Sequence, residues 1–454
     1  MTKLGSSTRD GFTSKFGVVA AAAGSAVGLG NIWKFPYITG VYGGAAFLFV
    51  YLAFIVAIGL PVMISEFMIG RSSKRNTIGA FKVLAPNTQW KYIGVLGVGA
   101  AIMILSFYGV VAGWSVQYII LSIKDGFANK TPQDIEALFT SLTVSPVKPV
   151  ILQLSFMAAT AIIVIAGVHK GIEKFSKILM PLLVVILVAL VIKSLTLTGA
   201  GKGLAFLFNP DFSKLTTEGI LSALGHAFFT LSLGMGTLIT YGSYIKPDNN
   251  LVKTASSVIV ADTVIAILAG VAIFPAVFAF GVEPDKGAGL VFITLPNVFR
   301  QMPGGYIFSI LFFILLSVAA ITSSISILEV VVAYMKEELK MKRKTATIIA
   351  AVVISILGAL CSLSMGVLDS YTLLGHNFFD LMDKISANML LPLGGLFVSL
   401  FIGWYFKKKR VREELERGGS ISENLLTTFM FLVKIVAPIA IAIVFLYGIG
   451  VLNI

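Results

Sequence analysis

Eleven long apolar segments constrain the fold of this chain more than any other feature of its sequence. Each is long enough to cross about 30 Å of hydrocarbon as a helix. Only 13% of the residues are charged, against about 25% in soluble domains. Because a backbone in lipid must satisfy its own hydrogen bonds, we predict an all-α polytopic membrane protein. The predicted spans are residues 16–39, 43–70, 91–123, 150–168, 176–195, 218–244, 254–281, 306–335, 346–364, 384–406 and 424–448.

The basic residues are distributed unevenly between the two ends of these spans. If the N-terminus is cytoplasmic, the inner loops and tail carry 24 lysines and arginines and the outer loops carry nine. This bias follows the positive-inside rule, and the odd number of spans then places the C-terminus outside. The net charge of +13 therefore reflects membrane topology, and we expect no nucleic-acid partner.

No loop is long enough to form a soluble domain, so residues 1–454 are predicted to form a single domain. The outer segment 285–305 is too apolar for a solvated loop. We expect a short re-entrant or surface-lying helix there, folded back against the bundle. The other long outer connections, 124–148 and 196–217, are interpreted as loops.

The first and sixth predicted spans contain the same kind of interruption. GSAVGLGNIW (24–33) and TLSLGMGTLITY (230–241) each place a Gly-x-Gly inside an apolar helix, although each glycine costs a helix about 1 kcal/mol relative to alanine. These spans are the first members of two five-span blocks, 16–195 and 218–406. Because each block has an odd number of spans, the second block has the opposite orientation in the membrane. Glycine interruptions at corresponding positions of two such halves indicate the central site of a transporter. The eleventh span, 424–448, lies outside this scheme.

Taken alone, the glycines leave other interpretations open. Gly24 and Gly28 could form a small-xxx-small pair that lets two helices pack closely. Gly28-x-Gly30 could be half of a dinucleotide fingerprint, but Trp33 follows it and no strand–helix–strand unit surrounds it. Membrane helices also tolerate incidental glycines. On the glycines alone, close packing and a functional role are equally supported.

Isolated polar residues in several spans favour the functional interpretation. Asn31 follows the first Gly-x-Gly, Thr230 and Ser232 precede the second, and Glu66 and Asp262 lie in the second and seventh spans. The eighth span contains three consecutive hydroxyl residues in AAITSSIS. A single serine or threonine can bond to its own helix, but a buried acid in a membrane span is a candidate functional residue by default.

Interrupting a helix in the membrane exposes carbonyl groups on one side and N–H groups on the other. Carbonyl, hydroxyl and amide oxygens suit a hard cation such as Na⁺, and the N–H groups at a helix N-terminus suit a carboxylate. These features together predict a transporter that moves a zwitterionic amino acid with sodium.

An ion channel and an intramembrane enzyme are the rival classes. Broken helices and rows of hydroxyl groups also line pores, but two corresponding breaks favour alternating access. His169, His226 and His376 are far apart and show no metal-ligand or nucleophile–base spacing. The single cysteine, Cys361, excludes an intramolecular disulfide and a cysteine-based metal site. We therefore expect no enzyme and no catalytic residues.

Several segments of the chain resemble the neurotransmitter:sodium symporter family, in its bacterial amino-acid branch. They are RDGFTSKFGVVAAAAGSAVGLGNIWKFPY, GLPVMISEFMIGR, FYGVVAGW, HAFFTLSLGMGTLITYGSY, GLVFITLPNVF, AAITSSIS and FDLMDK. The resemblance implies the inverted-repeat LeuT-type fold of five plus five helices with one extra C-terminal helix. It also implies a multi-pass protein of a bacterial-type inner (plasma) membrane, with the lipid bilayer and an amino-acid substrate as partners, present as a monomer or weak dimer.

The same resemblance implies two sodium sites as the cofactor positions. The first would use the carbonyl oxygens of Gly24, Val27 and Ala319 and the hydroxyl groups of Thr322 and Ser323. The second would use the Ala26 carbonyl, Asn31, Thr230 and the substrate carboxylate, with Asp262 nearby where relatives often have asparagine. An acid in this region resembles family members that need no chloride, so we expect none to be required. Glu66 is expected to be a second buried acid below the site.

The substrate contacts follow from the resemblance in the same way. The substrate carboxylate should meet the N–H groups of Leu29 and Gly30 and the hydroxyl of Tyr108. The ammonium should meet the carbonyls of Ala26, Phe229 and Thr230, and Ser232. The side-chain pocket would be formed by Ile104, Tyr108, Phe229, Met235, Ser323 and Ile327. Met235 stands where a leucine-transporting relative has a bulky phenylalanine, which favours tyrosine or tryptophan over leucine-like substrates.

Two gates are also implied by the resemblance. On the outer side Lys34 would face Asp383, and because lysine cannot form the two-pronged contact of arginine, this gate is expected to be looser or bridged by water. On the inner side Arg9 would pair with Glu337, with Phe12 and Tyr244 beside them.

Overall fold

The computed structural model describes residues 10–281 and 287–452, and within these ranges every element of regular structure is a helix. π-helical turns are counted as parts of the helices that they interrupt. In chain order the helices are α1 (Lys15–Ala26), α2 (Gly30–Val41), α3 (Ala45–Ser73), α4 (Thr77–Leu84), α5 (Lys91–Ile123), α6 (Pro132–Val144), α7 (Lys148–Ile165), α8 (Val168–Leu195), α9 (Ala200–Phe208), α10 (Thr217–Thr230), α11 (Thr237–Gly242), α12 (Leu251–Ala279), α13 (Leu290–Thr294 continued by Leu295–Gln301), α14 (Gly305–Glu337), α15 (Arg343–Leu363), α16 (Phe378–Tyr405), α17 (Lys408–Glu416) and α18 (Glu423–Gly448).

Nine helices in the described ranges are long and apolar enough to cross a membrane: α3, α5, α7, α8, α12, α14, α15, α16 and α18. Helices α1 and α2 together form a tenth candidate span, bent by 58° at the break between them. The predicted sixth span is present as α10 and α11, of 14 and 6 residues, separated by the nonhelical residues 231–236. The prediction of an all-α polytopic membrane protein is confirmed, and the two spans predicted to be interrupted are both broken.

The connections on the Lys124 side of the bundle contain more helix than the sequence analysis expected. The predicted short helix in 285–305 is confirmed as α13, whose Phe292 is fully buried with its ring centroid 5.8 Å from that of Trp114. The interpretation of 124–148 and 196–217 as loops was wrong, because they contain α6 and α9. Helix α6 begins at a reciprocal capping box between Thr131 and Asp134, which stabilises a helix start.

The six-residue helix α11 packs backbone to backbone against α3. A Cβ atom on Gly70 of α3 would lie 2.0 Å from the Ile239 carbonyl oxygen, and one on Gly242 of α11 would lie 2.6 Å from the Phe67 carbonyl oxygen. A helix this short is not stable alone in water. Its position below the second break therefore depends on its contact with α3.

Helix α18, which is outside the two predicted five-span blocks, lies at the periphery of the bundle. It is the least buried of the nine candidate spans. Exposed apolar side chains such as Phe431, Ile435 and Ile439 cover its outer face, which suits a surface in contact with lipid acyl chains. The bounds of the two blocks, 16–195 and 218–406, stay a prediction.

Candidate substrate and sodium site

The first break follows Ala26, where α1 ends. Val27 has an extended backbone (φ −72°, ψ 101°), and the helix resumes as a π-helical turn from Gly30. The exposed N–H groups find local acceptors. The N–H of Gly28 donates to Oδ1 of Asn31 at 2.9 Å, and the N–H of Leu29 donates to the hydroxyl of Tyr108 at 3.1 Å.

Crowding is severe at Gly28, weaker at Gly24 and absent at Gly30. A Cβ atom on Gly28 would lie 2.8 Å from both Ser323 Oγ and the Tyr108 hydroxyl oxygen. A Cβ atom on Gly24 would lie 3.3 Å from Thr322 Cβ. None of the glycines at positions 24, 28 and 30 has a positive φ. At Gly28 the need for glycine therefore comes from the close approach of neighbouring helices and not from the backbone conformation.

The second break is organised differently. Ser232, Gly234 and Gly236 have left-handed backbone conformations, with φ of 55°, 78° and 76°. The N–H of Gly234 donates to Oε1 of Glu66 at 2.7 Å. Glu66 is fully buried and satisfies a backbone group that the broken helix exposes, while its other carboxylate oxygen, Oε2, has no hydrogen-bond partner among the described residues.

A small cavity of about 20 Å³ lies between the two breaks. All eleven residues predicted to contact the substrate line it, together with Ser25, Gly28 and Asn31. The lining combines backbone and hydroxyl groups with the apolar side chains of Ile104, Met235 and Ile327. Polar groups that fix orientation beside apolar side chains are typical of the lining of a small-molecule site, and this closed cavity has to widen before it can hold an amino acid.

Asn31, Thr230 and Asp262 form a buried polar cluster beside this cavity. Asp262 Oδ1 accepts hydrogen bonds from Asn31 Nδ2 at 2.7 Å and from Thr230 Oγ1 at 3.0 Å. Asp262 Oδ2 has no hydrogen-bond partner among the described residues, and the side chain is fully buried. The structure therefore brings together three residues predicted for one sodium site, with one carboxylate oxygen unpaired.

A second cluster of oxygen atoms surrounds Ser323. Its hydroxyl lies 3.3 Å from the carbonyl oxygens of Gly24 and Val27 and 3.2 Å from that of Ser25. On the same helix, Thr322 Oγ1 lies 3.0 Å from the Ala319 carbonyl oxygen. The Ser323 hydroxyl has one hydrogen to donate, so it can hydrogen-bond to only one of the three carbonyl oxygens around it. Such an excess of oxygen atoms suits a hard cation.

The predicted outer gate is not closed by a direct ion pair. No ion pair within 4 Å joins Lys34 to Asp383 among the described residues, and the Lys34 ammonium lies 5.6 Å from the centroid of the Phe229 ring. Phe229 lines both the small cavity and a larger one of about 420 Å³, which Lys34, His226 and Tyr447 also line. The Phe229 ring therefore separates the two cavities.

Only part of the predicted inner gate can be described. Arg9 lies outside the described residues. Glu337 accepts hydrogen bonds from the backbone N–H of Asn76 at 2.8 Å and from its side-chain amide at 3.1 Å. The Phe12 ring is buried and packs edge-on against Tyr241 and Tyr244, with centroid distances of 5.5 and 6.0 Å.

Three buried acids on this side, Glu173, Glu329 and Glu414, were not singled out from the sequence. Glu414 pairs with the buried Arg71 at 2.9 Å. Glu329 in α14 pairs with Arg343 at 2.5 Å and accepts a hydrogen bond from the Tyr244 hydroxyl at 2.6 Å. Glu173 accepts hydrogen bonds from the N–H and the hydroxyl of Thr13, both at 2.8 Å, just before α1 begins. For Glu329, an acid inside the apolar run ISILEVVVAYM was the available signal, the one used for Glu66 and Asp262. Glu173 lies in the polar stretch HKGIEK, so no such signal marked it.

Comparisons with known proteins agree with this geometry. The sequence model of the sodium:neurotransmitter symporter family matches residues 9–134 and 136–453. The chain is 42% identical over 442 residues to the sodium-dependent transporter YhdH of Bacillus subtilis, covering 97% of this chain and 98% of that protein. A sodium-dependent transporter of Methanocaldococcus jannaschii is 31% identical over 467 residues, covering 98% and 92% of the two chains.

A solved structure resembles the whole fold. The crystal structure of MhsT in complex with L-phenylalanine has a TM-score of 0.90 and 48% sequence identity, and covers 97% of this chain and 100% of that one. The fold is therefore the LeuT-type fold, and the protein is a multi-pass, sodium-dependent membrane transporter and not an enzyme. The chain belongs to the sodium:neurotransmitter symporter family.

Proposed function

We propose that the protein is a sodium-coupled symporter that takes up a hydrophobic amino acid by alternating access, with tyrosine or tryptophan favoured. The observation that carries this proposal is the convergence of two helix breaks on one cavity. The N–H of Leu29 and the Tyr108 hydroxyl on one side suit a carboxylate. The oxygen clusters around Asp262 and Ser323 suit sodium.

The aromatic preference rests on the pocket lining and on one relative. Ile104, Met235 and Ile327 give the cavity a largely apolar wall, and methionine adapts its shape and packs well on aromatic rings. MhsT, which shares 48% of its residues with this chain, was crystallised with L-phenylalanine. Leucine-like and other zwitterionic substrates are the alternative within the same mechanism.

We propose two sodium ions per cycle, one at each oxygen cluster. Gly24, Val27, Ala319, Thr322 and Ser323 would bind the first ion. Ala26, Asn31, Thr230 and Asp262, with the substrate carboxylate, would form the second site. Two ions crossing about 100 mV release roughly 4.6 kcal/mol, and a tenfold gradient adds about 1.4 kcal/mol per ion. That sum supports accumulation by about five orders of magnitude.

The proposed orientation follows the basic residues. The N-terminus and the 24 inner lysines and arginines would face the cytoplasm of a bacterial-type plasma membrane, with the C-terminus outside. The transporter would act as a monomer or weak dimer in which each chain holds its own substrate site.

Uptake into proteoliposomes tests the substrate and the coupling. The purified full chain, given an inward sodium gradient, should accumulate labelled tyrosine, and tyrosine, tryptophan and phenylalanine should compete best in a panel of twenty amino acids. Equal competition by leucine would contradict the aromatic preference. Equal uptake with potassium replacing sodium would contradict sodium coupling.

Asp262 provides the test of chloride independence. Its carboxylate is proposed to supply the negative charge that chloride gives elsewhere in the family. Wild-type uptake should be unchanged when gluconate replaces chloride, whereas Asp262→Asn should lower uptake and make the remainder respond to chloride. The matched control is Asn388→Ala, which changes a side chain of the larger cavity without touching the cluster. A chloride requirement in the wild type would exclude this role.

A further inference from the structure

We propose that a groove at one end of the bundle binds an anionic phospholipid from the surrounding bilayer. Two adjoining hollows lie where α5 begins. One is an apolar groove of about 350 Å³ between Trp90, Tyr92, Leu96 and Phe397. The other is a polar basin of about 470 Å³ that includes Lys82 and Lys91. Gln89 lines both, so a headgroup in the basin would have its acyl chain in the groove.

The apolar groove opens at the protein surface and is framed by aromatic rings. The Tyr92 residue is 56% exposed. The Trp90 ring packs against Phe401 at 5.4 Å and Tyr405 at 5.9 Å between centroids, which joins the start of α5 to the end of α16. Tryptophan and tyrosine at the ends of membrane spans mark the level of the lipid headgroups. The groove therefore lies where an acyl chain meets its headgroup.

The basin carries positive charge. Lys91 forms no ion pair among the described residues, and its ammonium lies 5.4 Å from the Tyr92 ring centroid. Lys82 is half exposed and pairs with Glu338 at 2.5 Å, so its charge is partly compensated. The basic run Lys407–Arg410 begins two residues after Tyr405. Basic pockets beside membrane spans at this level bind anionic headgroups, so a zwitterionic lipid should bind less well.

This site shares no residue with the proposed transport machinery. Lys82, Trp90 and Lys91 line neither of the two cavities beside Phe229. A binding measurement on the purified chain therefore tests the lipid site independently of uptake. A lack of lipid binding would not bear on the proposed transport function, and a lack of uptake would not bear on the lipid site.

Native mass spectrometry of the detergent-purified full chain measures the headgroup preference. Titration with phosphatidylglycerol should show one saturable lipid, bound at least about fivefold more tightly than phosphatidylcholine with the same chains. Lys91→Gln should weaken that binding about fivefold, since each lysine near an anionic headgroup contributes a factor of about this size. Lys82→Gln with Lys91→Gln should weaken it further but by less than about 25-fold, because Glu338 already compensates part of the Lys82 charge. The matched control, Lys170→Gln with Lys253→Gln, removes two other exposed lysines and should leave the affinity unchanged.

Tryptophan fluorescence locates the acyl chain. Phosphatidylglycerol with brominated chains should quench the wild-type protein more than it quenches Trp90→Phe. Equal binding of the two lipids, an equal loss in the control lysine pair, or unchanged quenching in Trp90→Phe would each overturn the proposal. Displacement of the lipid by millimolar inorganic phosphate would also overturn it, because the basin would then be a simple anion site.

Discussion

The two helix breaks beside the cavity use glycine for different physical reasons. At the first break, Gly28 has no positive φ but faces Ser323 and Tyr108 so closely that no Cβ atom fits. At the second break, Gly234 and Gly236 adopt left-handed conformations, and a Cβ atom on Gly234 would also lie 2.2 Å from the Leu391 carbonyl oxygen. The first glycine makes room for side chains, whereas the second makes the backbone turn.

The difference predicts how each break tolerates change. Side-chain hydroxyls can shift by a few tenths of an ångström, so crowding at the first break should affect binding before it affects folding. A left-handed backbone costs other residues about 1–2 kcal/mol, and a backbone carbonyl cannot rotate away. Substitution of a glycine at the second break should therefore destabilise the folded protein.

Gly234→Ala should have the largest effect. Left-handed strain and overlap with Leu391 act together, and we expect a loss of more than about 3 kcal/mol of stability and no measurable uptake. Thermal unfolding of the purified protein checks this. Gly225→Ala in the same span is the control, because nothing lies within 4 Å of its added Cβ. A Gly234→Ala protein as stable as Gly225→Ala would contradict the distinction.

Gly28→Ala should come next, with a loss of function in a folded protein. The added methyl group would press on Ser323 Oγ and the Tyr108 hydroxyl at 2.8 Å. We expect uptake to fall about 100-fold while the melting temperature changes by only a few degrees, since about 1 kcal/mol is at stake in folding. Gly99→Ala, with open space around its Cβ, should transport normally. If Gly28→Ala is unfolded, the two breaks do not differ in their effect on stability, and the distinction between them is wrong.

Glu66→Ala tests how the second break is anchored. Without the carboxylate, the N–H of Gly234 loses its acceptor, which costs about 1–3 kcal/mol for a buried group. Uptake should fall about tenfold. Glu66→Gln keeps an oxygen for this bond and should recover most of the loss in the same proteoliposome assay. If glutamine is as damaging as alanine, the charge and not the hydrogen bond is what the site needs.

Gly30→Ala should have the smallest effect. Its nearest neighbours are Phe229 ring atoms at 3.4 Å, an ordinary contact, and its φ is not positive. Alanine also keeps the N–H group proposed to bind the substrate carboxylate. We expect uptake within about threefold of wild type. A loss as large as that of Gly28→Ala would mean that crowding does not distinguish the two positions.

Much of the fold followed from the sequence because membrane helices are encoded by local hydrophobicity. The apolar runs predicted the spans, and the paired Gly-x-Gly motifs predicted both breaks. The start of α16 was placed six residues late, at 384, because Asn377 caps the helix by accepting a hydrogen bond from the N–H of Asp380 at 2.8 Å. Such a cap extends a helix into polar sequence, which hydropathy does not detect.

The site was less accessible to sequence alone. The positions around the cavity came from a family resemblance, and the structure brings them together around one cavity. The pairing of Glu66 with Gly234, and of Glu329 with Arg343 and Tyr244, depends on which helices become neighbours. Lys34 was expected to face Asp383 across a loose or water-bridged gate, and the contact of its ammonium with the Phe229 ring was not foreseen. Contacts between residues distant in sequence are set by packing, which no local pattern encodes.

The interlocked glycines Gly70 and Gly242 make α11 and the adjoining part of α3 one mechanical piece. Neither backbone can slide past the other without a collision, and α11 is too short to keep its shape if it separates. We therefore expect these two segments to move together in any rearrangement that accompanies transport. The left-handed turn at Gly234 and Gly236 connects this unit to α10, and it is held to the same side by the bond from the Gly234 N–H to Glu66 of α3 and by the bond from Thr77 Oγ1 of α4 to the Gly236 carbonyl oxygen.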